Sequence, residues 1–103
     1  MLTEIFILCL LAYLCGSVPF GVLLAKTQNM DIREHGSGNI GATNVARTLG
    51  KKAGLITLAG DVLKGSLVVI LASQWFENPM ITALAGLAVF LGHLYSIFLK
   101  FKG

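Results

Sequence analysis

The sequence predicts an all-α integral membrane protein: three transmembrane helices, with a cytoplasmic glycine-rich loop and a short helix between the first and second. Three observations predict it. Of 103 residues, 55% are hydrophobic and only 13% are charged, with a mean hydropathy of +0.80, whereas an ordinary soluble domain carries about a quarter charged residues. The charges are also segregated. None falls between Ile5 and Ala25, and only Glu77 falls between Ser66 and Leu99, as expected of segments that sit in hydrocarbon. Finally, three apolar runs, each of about the 20 residues that cross a bilayer, are separated by one long polar stretch and one short turn. The chain therefore reads as a single membrane domain over residues 1–103.

The first span covers residues 5–25, "IFILCLLAYLCGSVPFGVLLA". It is read as retained rather than cleaved. Glu4 precedes it where a signal peptide would carry Lys or Arg, no small-residue cleavage site follows, and Leu14 is too bulky for lipoprotein processing at Cys15. Gly16, Ser17 and Gly21 offer small side chains for close helix packing, and Pro19 predicts a kink. Cys9 and Cys15 lie roughly 120° apart on such a helix. They lack His or Cys partners at metal-site spacing, so they read as apolar filler and no metal is expected.

The second span covers residues 54–76 and ends in Trp75 and Phe76, suited to the membrane interface. The third covers residues 79–99 and is followed by Lys100 and Lys102. Only Glu77 and Asn78 separate the two, which predicts a tight antiparallel hairpin. The loop, residues 26–53, and the C-terminus together hold nearly all of the Lys and Arg. The positive-inside rule thus places both in the cytoplasm and the N-terminus outside. The net charge is +3, but no basic patch alternates with exposed aromatics, so nucleic acid is not an expected partner.

The loop contains "EHGSGNIGATNVARTLG", in which Gly36, Gly38 and Gly41 have the spacing G-x-G-x-x-G. A dinucleotide fingerprint needs a buried strand leading in and an acidic residue at the end of a second strand. The lead-in "QNMDIREH" is polar, and Asp61 falls within the second span, so that reading fails. The phosphate loop G-x-x-x-x-G-K-[ST] fails because Ala42 stands where Lys is required. What remains is glycine-rich backbone entering a short helix that Gly50 stops, with Lys51 and Lys52 near its negative end. If that helix begins early, Asn39, Thr43 and Arg47 share a face, with Asn44 beside them, near a helix N-terminus disposed to hold an anion. A solvated amphipathic helix on the membrane surface would carry more Lys and Glu on this face than Asn, Thr and Ser.

Asp61 and Lys64 interrupt the second span as i, i+3 neighbours, which makes an ion pair feasible. At roughly 3 kcal/mol each if exposed to lipid, they are expected to face protein or water. They serve either helix packing or the wet loop nearby. His93, in the cytoplasmic third of the last span, is as readily a structural hydrogen-bonder as a catalytic group.

The strings "GSGNIGATNVARTLGKKAGLITLAGDVLKG" and "GHLYSIFLKFKG", with "GSVPFG" in the first span, strongly resemble the bacterial acyl-phosphate:glycerol-3-phosphate acyltransferases (PlsY type). The resemblance covers nearly the whole chain. It implies an inner-membrane enzyme of phospholipid synthesis that transfers a fatty acyl group from acyl phosphate to glycerol 3-phosphate. The products are lysophosphatidic acid and phosphate, and the reaction uses no cofactor. It further implies that Ser37 and Arg47 are the essential polar residues of a first motif, with Gly36, Gly38, Asn39, Gly41, Thr43 and Asn44 beside them. Gly92, His93, Lys100, Lys102 and Gly103 would begin a second motif linked to glycerol 3-phosphate. The catalytic candidates are Ser37, Arg47 and His93, and Asp61 and Lys64 join the phosphate-binding candidates. Further motifs and spans would follow in the family, so the chain is expected to be the N-terminal half of a longer enzyme. The alternatives are a small anion-binding membrane transporter and a non-catalytic helical subunit.

Overall fold

The computed structural model describes residues 1–101. They form five α-helices: α1 (Leu2–Gly16), α2 (Phe20–Lys26), α3 (Ala42–Leu49), α4 (Lys51–Trp75) and α5 (Pro79–Leu94), with 3-10 turns at Ile32–Glu34 and Ile97–Leu99. Three stretches, Leu2–Lys26, Lys51–Trp75 and Pro79–Leu99, are long and apolar enough to cross a membrane, which matches the three expected spans. The chain divides into two compact units. One holds Met1–Val18 and the described chain from Leu63 onward; the other is Pro19–Val62.

The first unit is built on small side chains. Ala12 of α1, Val68 and Ala72 of α4, and Ala85 and Val89 of α5 make its buried cluster, with Leu8, Cys15 and Ala88 packed against it. Lipid offers no hydrophobic drive for helices to associate, so close backbone packing takes its place. Here α1 and α5 meet backbone to backbone. A Cβ on Gly16 would overlap the Val89 carbonyl, and one on Gly92 would overlap the Tyr13 carbonyl and press on Ser17 N. The outward faces keep large apolar residues, among them Phe6, Leu67, Ile70 and Phe90. Between α4 and α5 the expected short turn is present. Asn78 caps α5, its Oδ1 accepting from the Met80 N–H at 2.9 Å, and Pro79 opens the helix where its missing N–H costs nothing. Trp75, expected at the interface, is 74% exposed.

The first span differs from expectation. In place of one kinked helix, α1 stops at Gly16 and α2 starts at Phe20. Pro19 has no N–H and disfavours helical geometry at Val18. The break strands the carbonyls of Ser17 and Val18, and both are recovered from far along the chain. Ser96 Oγ donates to Ser17 O, and Lys64 Nζ donates to Val18 O at 3.0 Å. Tyr13 adds a third tie, its hydroxyl donating to Tyr95 O. These ties also explain why α5 ends at Leu94 and not at residue 99. Beyond it, the Tyr95 carbonyl and the Ser96 hydroxyl are turned onto α1, and the chain continues as a 3-10 turn with Leu99 buried.

In the second unit, Val22 and Ala25 of α2, Ile32, Ile40 and Val45 of α3 form the buried interior. Gly50, at φ +106°, ends α3, a conformation that favours glycine. The next helix begins at once, so Lys51 and Lys52 open α4 and do not trail α3 as expected.

Gly92→Val is therefore expected to drive α1 from α5 and to cost more than the about 1–3 kcal/mol of ordinary overpacking, because backbone must shift. Gly86→Ala is the comparison, since its Cβ would meet only Val69 Cγ2, at an ordinary 3.5 Å. Thermal unfolding in detergent should show a large drop for the first and little change for the second.

Candidate functional site

The polar residues of the glycine-rich stretch come together within the Pro19–Val62 unit. The stretch is entered through a tight turn. Asp31 Oδ1 accepts from the Arg33 backbone N–H at 3.0 Å and from Arg33 Nε at 3.2 Å. The Arg33 hydrogen bonds hold the Asp31 carboxyl below the usual carboxylate range. The 3-10 turn over Ile32–Glu34 follows, and Gly38 N–H closes a further turn on His35 O at 2.9 Å.

The loop then folds around one side chain. Asn44, in the first turn of α3, is only 2% exposed. Its Nδ2 donates to His35 O and Asn39 O, each at 2.9 Å, and reaches Ile32 O at 3.4 Å. Its Oδ1 accepts from the Ser37 N–H at 3.1 Å. Gly36 makes this possible. It sits at φ +55°, and a Cβ there would overlap Asn44 Oδ1. Gly38, at φ +77°, also needs glycine, whereas Gly41, at φ −75°, does not: it is the N-cap of α3.

The loop continues by short hydrogen-bonded steps. Ser37 Oγ accepts from Asn39 N–H at 3.3 Å, and Asn39 Oδ1 accepts from Gly41 N–H at 2.8 Å. Asn39 thus lies before the helix and does not share a face with Thr43 and Arg47, because α3 begins only at Ala42. Thr43 and Arg47 stand one turn apart, and both are exposed, as is Ser37. Asn44, beside them on the helix, is buried and turned into the loop. Two hydroxyls and a guanidinium are thus exposed on one short segment around the start of a helix, groups suited to phosphoryl oxygens.

An open apolar groove of about 280 Å³ shares Thr43 with them and is lined also by Ala46, Lys51, Gly54, Leu55 and Leu58. The resemblance implies a groove between spans for the acyl chain; this groove is instead lined by the short helix α3 and by α4. Its one trace in the sequence is Gly54, whose Cβ would press on Ala46 and hold α3 and α4 apart.

The other predicted residues divide between the two units. Asp61 is on α4 in the same unit, half-buried. Lys64, His93 and Lys100 belong to the other unit. Lys64 is 6% exposed, with its ammonium on the Val18 carbonyl, His93 is half-buried in the last turn of α5, and Lys100 is exposed. Lys102 and Gly103 lie outside the described residues. Among the described residues, no group of three or more His, Cys, Asp and Glu is placed to hold a metal ion.

Comparison with known proteins covers nearly the whole chain. The family model "Glycerol-3-phosphate acyltransferase" matches residues 6–103. A glycerol-3-phosphate acyltransferase of Geobacter metallireducens is 57% identical over 103 residues, covering 100% of this chain and 53% of that protein. One from Geobacillus kaustophilus is 51% identical over 98 residues, covering 94% and 49%. A crystal structure of PlsY (YgiH), an integral membrane glycerol 3-phosphate acyltransferase in its glycerol 3-phosphate form, superposes with a TM-score of 0.92 at 44% identity, covering 97% of this chain and 50% of that one. Its lysophosphatidic acid form gives 0.89 at 42% identity. The chain spans about half the length of the curated relatives it matches.

The turn before α3 has a direct test. Asn39→Ala removes the acceptor for Gly41 N–H and should loosen the start of α3 by about 1 kcal/mol. Asn39→Asp keeps the acceptor and should preserve the helix. Amide hydrogen exchange over residues 39–45 separates the two.

Proposed function

The chain belongs to the glycerol-3-phosphate acyltransferase family, and from that premise we propose that its Gly36–Arg47 segment binds phosphoryl oxygens during acyl transfer. The donor is an acyl phosphate, the acceptor is glycerol 3-phosphate, and the products are lysophosphatidic acid and inorganic phosphate. One observation carries the reading: Ser37, Thr43 and Arg47 stand exposed on a segment whose backbone is already tied down by Asn44 and Asn39. A relative with 44% identity crystallised in a glycerol 3-phosphate form supports it.

Acyl phosphate is a mixed anhydride and already carries a good leaving group. A glycerol 3-phosphate hydroxyl attacks the acyl carbonyl and the ester C–O bond forms. The acyl–phosphate C–O bond breaks, the electron pair leaves with phosphate, and the hydroxyl proton passes to phosphate or solvent. No covalent intermediate on the protein is needed. Two tasks remain for the protein: holding two phosphates against their repulsion, and neutralising the charge that grows on the leaving group. Arg47 serves both, as a planar fork of donors that matches phosphate oxygens two at a time. Ser37 and Thr43 add hydroxyl donors.

In this reading the groove lined by Thr43, Lys51, Leu55 and Leu58 takes part of the acyl chain, and the Lys51 charge favours the donor's phosphate. The chain is a multi-pass membrane protein, and the positive charge of residues 26–53 supports a cytoplasmic site at the bacterial inner membrane with the N-terminus outside. Lys64 serves the break after α1. His93, Lys100, Lys102 and Gly103 keep the separate role that the resemblance implies, the opening of a second substrate motif.

The test is phosphate release from palmitoyl phosphate in the presence of glycerol 3-phosphate. It is run on the purified chain and on a chimera carrying the C-terminal half of the Geobacter metallireducens relative. The expected result is release that needs both substrates and yields lysophosphatidic acid. Arg47→Ala should lower kcat/KM by about 100-fold or more, with Arg47→Lys between it and the wild type. A folded chimera that releases no phosphate overturns the reading, and an acyl adduct trapped on Ser37 overturns the direct-transfer step.

A second outcome concerns the groove. Leu58→Trp should raise KM for long-chain acyl phosphates and leave KM for glycerol 3-phosphate unchanged. Steady-state kinetics with palmitoyl and octanoyl phosphate read the difference.

A further inference from the structure

Of the polar residues in the glycine-rich stretch, Asn44 stands apart because its carboxamide is already occupied. A carboxamide offers two N–H donors and an oxygen with two lone pairs. Asn44 spends both donors on loop carbonyls, His35 O and Asn39 O, with Ile32 O within reach of the same nitrogen. Its oxygen accepts the Ser37 N–H. The group is 2% exposed, and Gly36 passes so close to Oδ1 that a Cβ would overlap it. An arriving phosphate would find no free donor there.

We infer that Asn44 is a positioning residue: its carboxamide clamps the Ile32–Asn39 turn from inside and sets where Ser37 stands before any substrate arrives. The inference rests on the acyl-transfer reading only for what Ser37 then does. Four bonds converge on one small group; losing it leaves Asn39 O and the Ser37 N–H without that partner and leaves Ile32 O and His35 O with only a turn N–H each, and a polar group without a partner is costly where water is excluded. The loop has no other side chain in its interior that bonds to more than one of these groups, among the described residues. Ser37 reaches forward only to Asn39 N–H, and Asn39 only to Gly41 N–H. Both therefore depend on the anchor that Asn44 supplies.

The experiment has two arms. The first is amide hydrogen exchange on the full chain in lipid nanodiscs with no substrate, comparing the wild type, Asn44→Leu and Gly36→Ala. Asn44→Leu keeps the bulk and removes every polar bond. Gly36→Ala leaves Asn44 in place and pushes on its Oδ1, so it attacks the same contact should the first variant fold poorly. Exchange at residues 35–39 should rise at least tenfold in both, with α1 and α5 unchanged. Exchange at wild-type rates in either folded variant overturns the inference, since a residue that acts only on bound substrate leaves the empty loop alone.

The second arm is the phosphate-release assay in whichever form turns over. Asn44→Leu should lower kcat/KM by about 100-fold, the scale of a small misplacement of a reacting group. Adding Ser37→Ala should then cost less than a further twofold, because both changes remove the same thing. Losses that multiply overturn the inference. If no form releases phosphate, acyl transfer falls, and the exchange arm still decides the role of Asn44.

Discussion

The structure depends on one constraint: a backbone amide or carbonyl away from water must find a partner inside the protein. Helices satisfy it by themselves, and this chain departs from helix in two places that matter. At residues 17–19, between α1 and α2, the helical ladder stops and leaves the Ser17 and Val18 carbonyls open. In the glycine-rich turn, the backbone from Ile32 to Gly41 makes few regular hydrogen bonds. In each place a polar side chain from outside the stretch supplies what the ladder cannot. Lys64 and Ser96 take the two carbonyls at the break. Asn44 takes three carbonyls and an N–H in the turn.

This gives the polar residues of an apolar chain a common explanation. A lysine in a membrane span is expensive, by roughly 3 kcal/mol on insertion scales. An unpaired carbonyl there is expensive too, by several kcal/mol. Placing one against the other offsets both, and the ammonium carries three donors for the purpose. It also stands at the negative end of α1, where a cation is favoured. The glycines answer the same need by another route. Gly16 and Gly92 let α1 and α5 approach until their backbones touch, which brings Tyr13 within reach of Tyr95 O and Ser17 O within reach of Ser96.

Much of this was legible in the sequence, and what was not has a physical pattern. The three apolar stretches, the Glu77–Asn78 turn, the short helix after Gly41 and its stop at Gly50 all follow from local chemistry, and all are present. Pro19 announced a disturbance but not its kind. Whether a proline bends a helix or ends it depends on what is available to take the freed carbonyls, and here those groups lie 46 and 79 positions away in sequence. The third span reaches Leu99 as expected, but α-helix gives way after Leu94 to a 3-10 turn, where the Tyr13 hydroxyl from another span takes the Tyr95 carbonyl. Asn39 was placed on the helix because its spacing fits. It is outside because its side chain caps the Gly41 amide and starts the helix later. Asn44 was counted among groups that face a ligand, for spacing alone cannot say which way a carboxamide points.

The G-x-G-x-x-G spacing shows how far a motif can be carried. Its first two glycines have positive φ and its third opens a helix. In those respects the turn does what the same letters do where they meet a dinucleotide: backbone is brought close to a helix N-terminus that favours anions. What differs is the support. In a doubly wound sheet the turn hangs from a buried strand. Here no strand leads in, and the turn closes on the side chain of Asn44. A turn held by one carboxamide is open to water on its outer side, and it can carry Ser37, Thr43 and Arg47 outward without burying charge. That suits the proposed acyl transfer, in which two phosphates come and go at a membrane surface. The proposed chemistry asks for a fixed set of donors and no nucleophile, and a pre-tied loop beside a short helix is the kind of support that holds such donors in place.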